Sequence, residues 1–292
     1  MRTILITGAT GFLGSHLVEA LLKEGDTRII AVLGRPEDKG HVLPAGNDIS
    51  IIPCSELFSS RFGHIDTVIH TAFSRGENLG GLTDSVFLTE RIIAQVNNGD
   101  IDSVINISSQ AVYGAMDEGV RVSEDAELHP GTAYGFAKLC TEKMFGLGCY
   151  KAFTHVRMAS LSKNARFLGI FVDKIIRGEE IKVTSPHRYA SLMDVSDAVK
   201  GIIAIAFTPH SQRSRVYNLG PGNQYSILDL AYKANQIGQE FGCPKSFVTV
   251  EDDGCASAIC MDCSKIADQI GWTCSTDMDD TLRKMFSERL NG

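Results

Sequence analysis

The sequence predicts an α/β fold: a doubly wound, mostly parallel sheet over residues 1–160, with a smaller α/β lobe built mainly from residues 161–292. Three observations predict it. The chain opens on an apolar run, Ile4-Leu5-Ile6, followed by Gly8, Gly11 and Gly14 and then by a stretch with helical spacing, Ser15 to Lys23. Short β-branched runs recur at 28–33, 49–52, 66–72, 103–107 and 154–158, and helical patterns separate several of them. Strands that alternate with helices pair in parallel, because each crossover returns the chain to the end of the sheet where the previous strand began.

Composition bounds the function. At 292 residues the chain suits one large domain or a main domain with a companion. The net charge is −7 and no basic run stands out, so nucleic acid is not an expected partner. The longest apolar run, near Gly201 to Phe207, is too short to span a bilayer. The start carries one arginine and then a strand, with no apolar region before a cleavage site, so a cytoplasmic protein is expected. Cys260 and Cys263, with Cys255 and Cys274 nearby, suggest zinc at first sight, but no second close pair completes the spacing. Ala258 to Met261 reads instead as a strand, with Cys263 at the start of the next helix, and no metal is expected.

The first strand, glycine turn and helix have the layout of a dinucleotide site. Gly8 permits a tight turn, Gly11 lets backbone approach a pyrophosphate, and Gly14 lets the helix pack on the sheet. The helix N-terminus offers N–H groups to the phosphates. After the second strand an acidic residue would accept from the adenosine ribose. Gly34-Arg35-Pro36 stands there instead, and Arg35 suits a 2′-phosphate, which favours NADP over NAD.

The fourth strand ends in His70-Thr71-Ala72, where His70 reads as a packing residue. Phe73, Ser74 and Arg75 follow, and the last two are candidates for the substrate side. A helix is expected over 84–98, with Thr83 or Asp84 as its cap. The fifth strand runs into Ser108-Ser109-Gln110-Ala111-Val112-Tyr113-Gly114. A further helix opens on Tyr134 and carries Lys138 on the same face. A tyrosine hydroxyl titrates near about 10 in isolation, and a nearby ammonium lowers that value. Tyr134 with Lys138 therefore makes a proton-transfer pair, and Ser109 is placed to orient a reacting oxygen.

These motifs, TGATGFLG at 7–14, His-x-Ala, Ser-x-x-Val-Tyr-Gly and Tyr-x-x-x-Lys, resemble the extended short-chain dehydrogenase/reductase superfamily in its sugar-nucleotide epimerase/dehydratase branch. The resemblance covers nearly the whole chain and implies a Rossmann-type fold. It implies catalytic Ser109, Tyr134 and Lys138, and an NADP or NAD site built from Gly8, Thr10, Gly11, Phe12, Leu13, Gly14, Arg35, Thr71, Ala72 and Ser108 together with Tyr134 and Lys138. Substrate contacts are implied at Ser74, Arg75, Tyr113 and Arg188; Tyr113 reads first as a half-buried aromatic, and Arg188 reads also as a solvated loop residue. The family's dimer surface would lie on the helices near 84–98 and 132–150, giving a homodimer.

Departures from the pattern are specific. Cys54 stands where relatives carry an aspartate toward adenine, and Ser85 where they often carry asparagine. Arg157 matches, but Ser160-Leu161-Ser162-Lys163 replaces the usual Asn-x-Tyr-Gly-Pro. Gln110-Ala111 replace the Asp-Glu that a 4,6-dehydratase uses. The expected function is a 4-epimerase or 4-ketoreductase of a nucleotide sugar. Two alternatives stay open: an NADPH-dependent reductase of a non-nucleotide carbonyl compound, and a non-catalytic NADP-sensing protein.

Overall fold

The computed structural model describes residues 1–34, 41–57, 62–75, 79–117, 119–254 and 257–291. The chain divides into two compact units, each assembled from separated segments. The first comprises Met1–Val112, Leu128–Met158 and Val199–Tyr217; the second comprises Tyr113–Glu127, Ala159–Ala198 and Asn218–Gly292.

The sheet has strands β1 (Arg2–Thr7), β2 (Thr27–Val32), β3 (Ile49–Ile52), β4 (Ile65–His70), β5 (Ile101–Ser109) and β6 (Ala152–Met158), all of the first unit, and β7 (Val216–Leu219), whose first two residues belong to it. Their spatial order is β7–β6–β5–β4–β1–β2–β3. Every pairing from β3 through β6 is parallel. The central strands are covered on both faces, so they read as near-continuous apolar runs: Ile4 to Ile6, Val68 to Ile69, and Val104 to Ile105. The strand order reverses between β1 and β4, and their register pairs Thr7 with His70 at the carboxyl ends. Ligand crevices in open α/β sheets lie at such a reversal.

Helices α1 (Phe12–Lys23), α2 (Leu79–Asn98) and α3 (Ala133–Gly148) flank the sheet. Leu5, Val68, Val104, Ile92, Val96 and Phe145 form one buried cluster from strands, α2 and α3. α2 begins at Leu79, not at the expected cap of Thr83 or Asp84. The reason is Gly81, which reads as a helix breaker but serves close packing: a Cβ there would meet the Ser74 hydroxyl at 2.7 Å. Thr83 and Ser85 donate their hydroxyls to the carbonyls of Leu79 and Gly81 inside the helix, at 2.9 and 2.8 Å. α3 is capped by Thr132, whose side chain accepts from the Gly135 N–H at 3.0 Å.

In the second unit, helices Arg166–Arg177, Ile227–Glu240 and Met278–Asn291 close around Phe171, Val172, Leu230, Ala234, Leu282 and Phe286. Ser226 caps the middle helix by accepting from the Asp229 N–H at 2.9 Å. Cys260 lies in a two-residue strand paired with Arg121–Val122, and Cys263 directly precedes the helix Ser264–Ile270. No helix among the described residues is long and apolar enough to cross a membrane.

Candidate active site

The glycine turn after β1 is shaped by close approaches. Gly8 has φ +69°, and a Cβ on it would lie 2.9 Å from the Ala72 backbone. A Cβ on Gly14 would lie 2.2 Å from the Gly8 carbonyl, so α1 seats on the turn only with glycine there. Gly11 occupies the N-cap position, and no side chain caps the first turn of α1. Backbone N–H groups at an uncapped helix start suit an anion, and the missing side chains leave room for a pyrophosphate. The residues present therefore fit a dinucleotide. Phe12 and Leu13 open α1. Thr71 donates its hydroxyl to the Thr7 carbonyl at 2.7 Å, which ties the β4 loop to β1. Thr10 accepts from the Gly34 N–H through its hydroxyl and from the His41 N–H through its carbonyl, at 3.3 and 2.9 Å. Arg35, on which the preference for NADP rests, lies outside the described residues.

Ser109 is the last residue of β5, and Tyr134 lies in the first turn of α3. A residue that belongs to none of the motifs brings them together. Gly135 presses so closely on the turn after β5 that a Cβ would sit 2.4 Å from the Ala111 carbonyl. Burial pushes the Tyr134 hydroxyl above its usual range, while Arg75 and Ser109 pull it back without cancelling that effect. Ser109 also accepts from the Ala111 N–H at 3.2 Å.

Lys138 is buried one turn further along α3. Its Nζ donates to the Ile107 carbonyl at 2.7 Å and lies 3.8 Å from the centre of the Phe73 ring. The centre of the Tyr134 ring is farther away, at 5.9 Å. Burial pushes the ammonium down to about 7; Arg75 adds to that and Glu142 opposes it. Phe73 meets Tyr134 edge-on with ring centres 5.8 Å apart.

Behind this group lies an ionic cluster. Ser108 donates to Glu142 Oε1 at 2.5 Å, and Arg157 grips the same carboxylate through Nε at 3.1 Å and a terminal nitrogen at 2.8 Å. All three side chains are buried. Burial alone would raise the Glu142 carboxyl, but the Arg157 hydrogen bonds and its other partners hold it below the usual range. Ser108, expected beside the nicotinamide, thus commits its hydroxyl to Glu142. Glu142 is absent from the motifs, although Tyr134, Lys138 and Glu142 recur at helical spacing and share a face, a signal that could have found it.

Two buried histidines complete the surroundings. His70 bonds the hydroxyls of Thr7 and Thr89 at 2.7 and 3.1 Å, and His155 meets the Asn106 amide at 3.2 Å. Burial pushes their imidazoles down to about 3 and about 4. An unfolded chain takes up protons near pH ~6.5, where these sites stay neutral, so stability falls as the pH drops below that point. By pH ~5 each histidine is expected to cost roughly 2 kcal/mol, at about 1.4 kcal/mol per pH unit. Denaturant titrations at pH 7 and 5 check this: a His155→Gln variant should show the shallower pH dependence, and equal slopes would refute the assignment.

The remaining candidates fall elsewhere. Ser74 donates its N–H to the Ser85 hydroxyl at 2.9 Å, which anchors the loop that carries Arg75. Tyr113 is fully buried in the second unit, and its hydroxyl donates to Asn218 Oδ1 at 2.6 Å. Asn218 in turn donates to the carbonyls of Val122 and Asp262 at 3.0 and 2.9 Å. Tyr113 is therefore part of a polar keystone of that unit and not a surface for substrate. Arg188 is exposed in the second unit, where its backbone bridges Ser257.

The model of the NAD dependent epimerase/dehydratase family matches residues 4–220. Curated relatives include a dTDP-glucose 4,6-dehydratase of Streptomyces griseus, 24% identical over 309 residues, spanning 96% of this chain and 91% of the relative. The UDP-glucose 4-epimerase GEPI42 of Cyamopsis tetragonoloba is 24% identical over 337 residues, spanning 97% and 93%. Among solved structures, MoeE5 in complex with UDP-glucuronic acid and NAD superposes with TM-score 0.79 at 24% identity, covering 99% of this chain and 100% of that one. UDP-glucose 4-epimerase from Thermotoga maritima superposes with TM-score 0.80 at 20% identity, covering 99% and 100%. With its glycine turn, its reversed strand order and a family match that spans most of its length, this chain belongs to the NAD-dependent epimerase/dehydratase family of the extended short-chain dehydrogenase/reductases.

Proposed function

We propose that the chain acts on C4 of a nucleotide sugar by reversible hydride transfer, as a 4-epimerase or 4-ketoreductase, with Tyr134 as acid/base. The observation that carries this reading is the seating of the first turn of α3, which carries Tyr134, on the turn that follows Ser109 at the carboxyl end of β5, where a Cβ on Gly135 would lie 2.4 Å from the Ala111 carbonyl. NAD, when bound, supplies the hydride acceptor. Tyr134 takes the proton from the sugar hydroxyl as the carbinol carbon is oxidised, and returns it when the carbonyl is reduced. Ser109 holds the reacting oxygen in line with Tyr134. The buried Lys138, anchored on Ile107, fixes the floor of the site.

Gln110-Ala111 after Ser109 argue against elimination, which needs an acid and a base there. NAD is preferred to NADP because the similar MoeE5 structure holds NAD. A reductase of a non-nucleotide carbonyl compound is the second reading, favoured by Ser160–Lys163 in place of the family's Asn-x-Tyr-Gly-Pro. Homodimerisation through α2 and α3 fits their exposed Phe87, Phe136 and Leu147.

The test is to identify the cofactor released on denaturing the purified protein, and to incubate the protein with UDP-glucose, UDP-glucuronic acid and UDP-N-acetylglucosamine. Retained NAD with appearance of a 4-epimer is the expected result. An empty protein that binds NADPH, leaves every UDP-sugar unchanged and reduces simple ketones would overturn the nucleotide-sugar reading.

A further inference from the structure

We propose that Phe73 is a positioning residue of the proton-exchange site, holding Lys138 through the face of its ring and meeting Tyr134 edge-on. The inference rests on the reading of Tyr134 as acid/base given above.

Phe73 stands just past the His-x-Ala motif, in the loop after β4. It forms a triangle with the two residues of α3. The Lys138 Nζ lies 3.8 Å from the centre of the Phe73 ring. The ring centres of Phe73 and Tyr134 lie 5.8 Å apart at 84°, and Nζ lies 5.9 Å from the Tyr134 centre. An ammonium within about 6 Å of an aromatic face is attracted by the ring's negative face, more strongly where water is kept out. Lys138 is buried, so its contact is of the stronger kind. Its flexible four-carbon stem would otherwise let the charge wander. Two contacts stop it: the Ile107 carbonyl of β5 accepts an N–H at 2.7 Å, and the Phe73 ring takes the charge from the loop after β4. Near-perpendicular rings at this spacing also attract, so the same side chain steadies Tyr134.

Phe73 can hold both groups because its own loop is held on either side. Before it, Thr71 donates to the Thr7 carbonyl at 2.7 Å, and Ala72 lies so close to Gly8 that a Cβ there would come within 2.9 Å. After it, Ser74 donates its N–H to the Ser85 hydroxyl at 2.9 Å. A ring on an anchored loop brings Lys138 and Tyr134 to one geometry before a substrate arrives, which serves rate more than affinity. Phe73 itself gives and takes no proton. Leucine would fill much of its space but offer no face.

The test weakens the ring face and leaves its shape alone. Phenylalanines with increasing numbers of ring fluorines are placed at position 73 of the full chain. Then kcat and KM are measured with the best nucleotide sugar from the panel above. Fluorine draws charge from the ring face, so kcat should fall step by step to about tenfold below the parent, with KM and retained cofactor nearly unchanged. Phe73→Leu should reach a similar loss, and Phe73→Tyr should keep most of the rate. Circular dichroism of each variant confirms folding. A flat fluorine series overturns the proposal, since a ring that only fills space would not respond. Denaturant titrations of Phe73→Leu, Lys138→Met and the double variant give a second reading that needs no substrate. The double loss should be smaller than the sum of the single losses, and additive losses overturn the hold on the ammonium. A Tyr134→Phe variant that turns over normally overturns the acid/base reading instead, so the two failures are distinguishable.

Discussion

Phenylalanine at position 134 is expected to leave cofactor retention intact and to cut turnover by about two to four orders of magnitude, the usual worth of a positioned general acid/base. The substitution removes one oxygen and keeps the ring, so the edge contact with Phe73 survives. Of the residues expected at the dinucleotide, the substitution removes one hydroxyl and leaves the glycine turn and the start of α1 untouched, so retention of the cofactor should persist. On the proposed mechanism Ser109 would still offer its hydroxyl to the substrate oxygen, but no group would remain to exchange the proton. Rates are to be measured with the best nucleotide sugar from the panel above, and retained cofactor by its absorbance after denaturation. A variant within a few-fold of the parent rate would end the mechanism.

Methionine at position 157 is expected to destabilise the first unit by about 3 to 5 kcal/mol, as when one partner of a buried ion pair is removed. The parent guanidinium gives Glu142 its hydrogen bonds from Nε and a terminal nitrogen. Without them the carboxylate keeps, among the described residues, the Ser108 hydroxyl in a buried site. Two controls separate the charge from the packing. Arg157→Met combined with Glu142→Met should recover much of the loss, because apolar pairs often replace buried ion pairs at little cost. Glu142→Met alone should also destabilise, since it removes the carboxylate that faces the buried guanidinium. Denaturant midpoints check all three, and an Arg157→Met loss below ~1 kcal/mol would show that the pair is not dry enough to matter.

The sheet is legible in the sequence because its strands are buried on both faces and leave apolar runs that composition alone betrays. The glycine turn is legible for a related reason: Gly8 and Gly14 occupy places where a single carbon would collide with backbone. What stays hidden depends on packing across distant segments. The start of α2 is obscured because Gly81, a weak helix former, is required by Ser74 lying against it. The Tyr134–Ser109 approach depends on Gly135, whose role appears only when the turn at Ala111 is laid on α3. Tyr113 carries a family-like motif, but its hydroxyl is claimed by Asn218, more than a hundred residues along the chain.

The segmental make-up of the two units has a consequence for synthesis. A chain emerging from the ribosome displays Met1–Val112 and Leu128–Met158 well before it displays Val199–Tyr217. Yet Arg213, in that late segment, donates to the Ser103 hydroxyl of β5 and to the carbonyls of Ala206 and Thr208. The nucleotide-binding half therefore waits for residues made after much of its companion, and no single cut of the gene yields it whole. Construction of a minimal cofactor-binding fragment would have to excise the intervening segments and rejoin the ends.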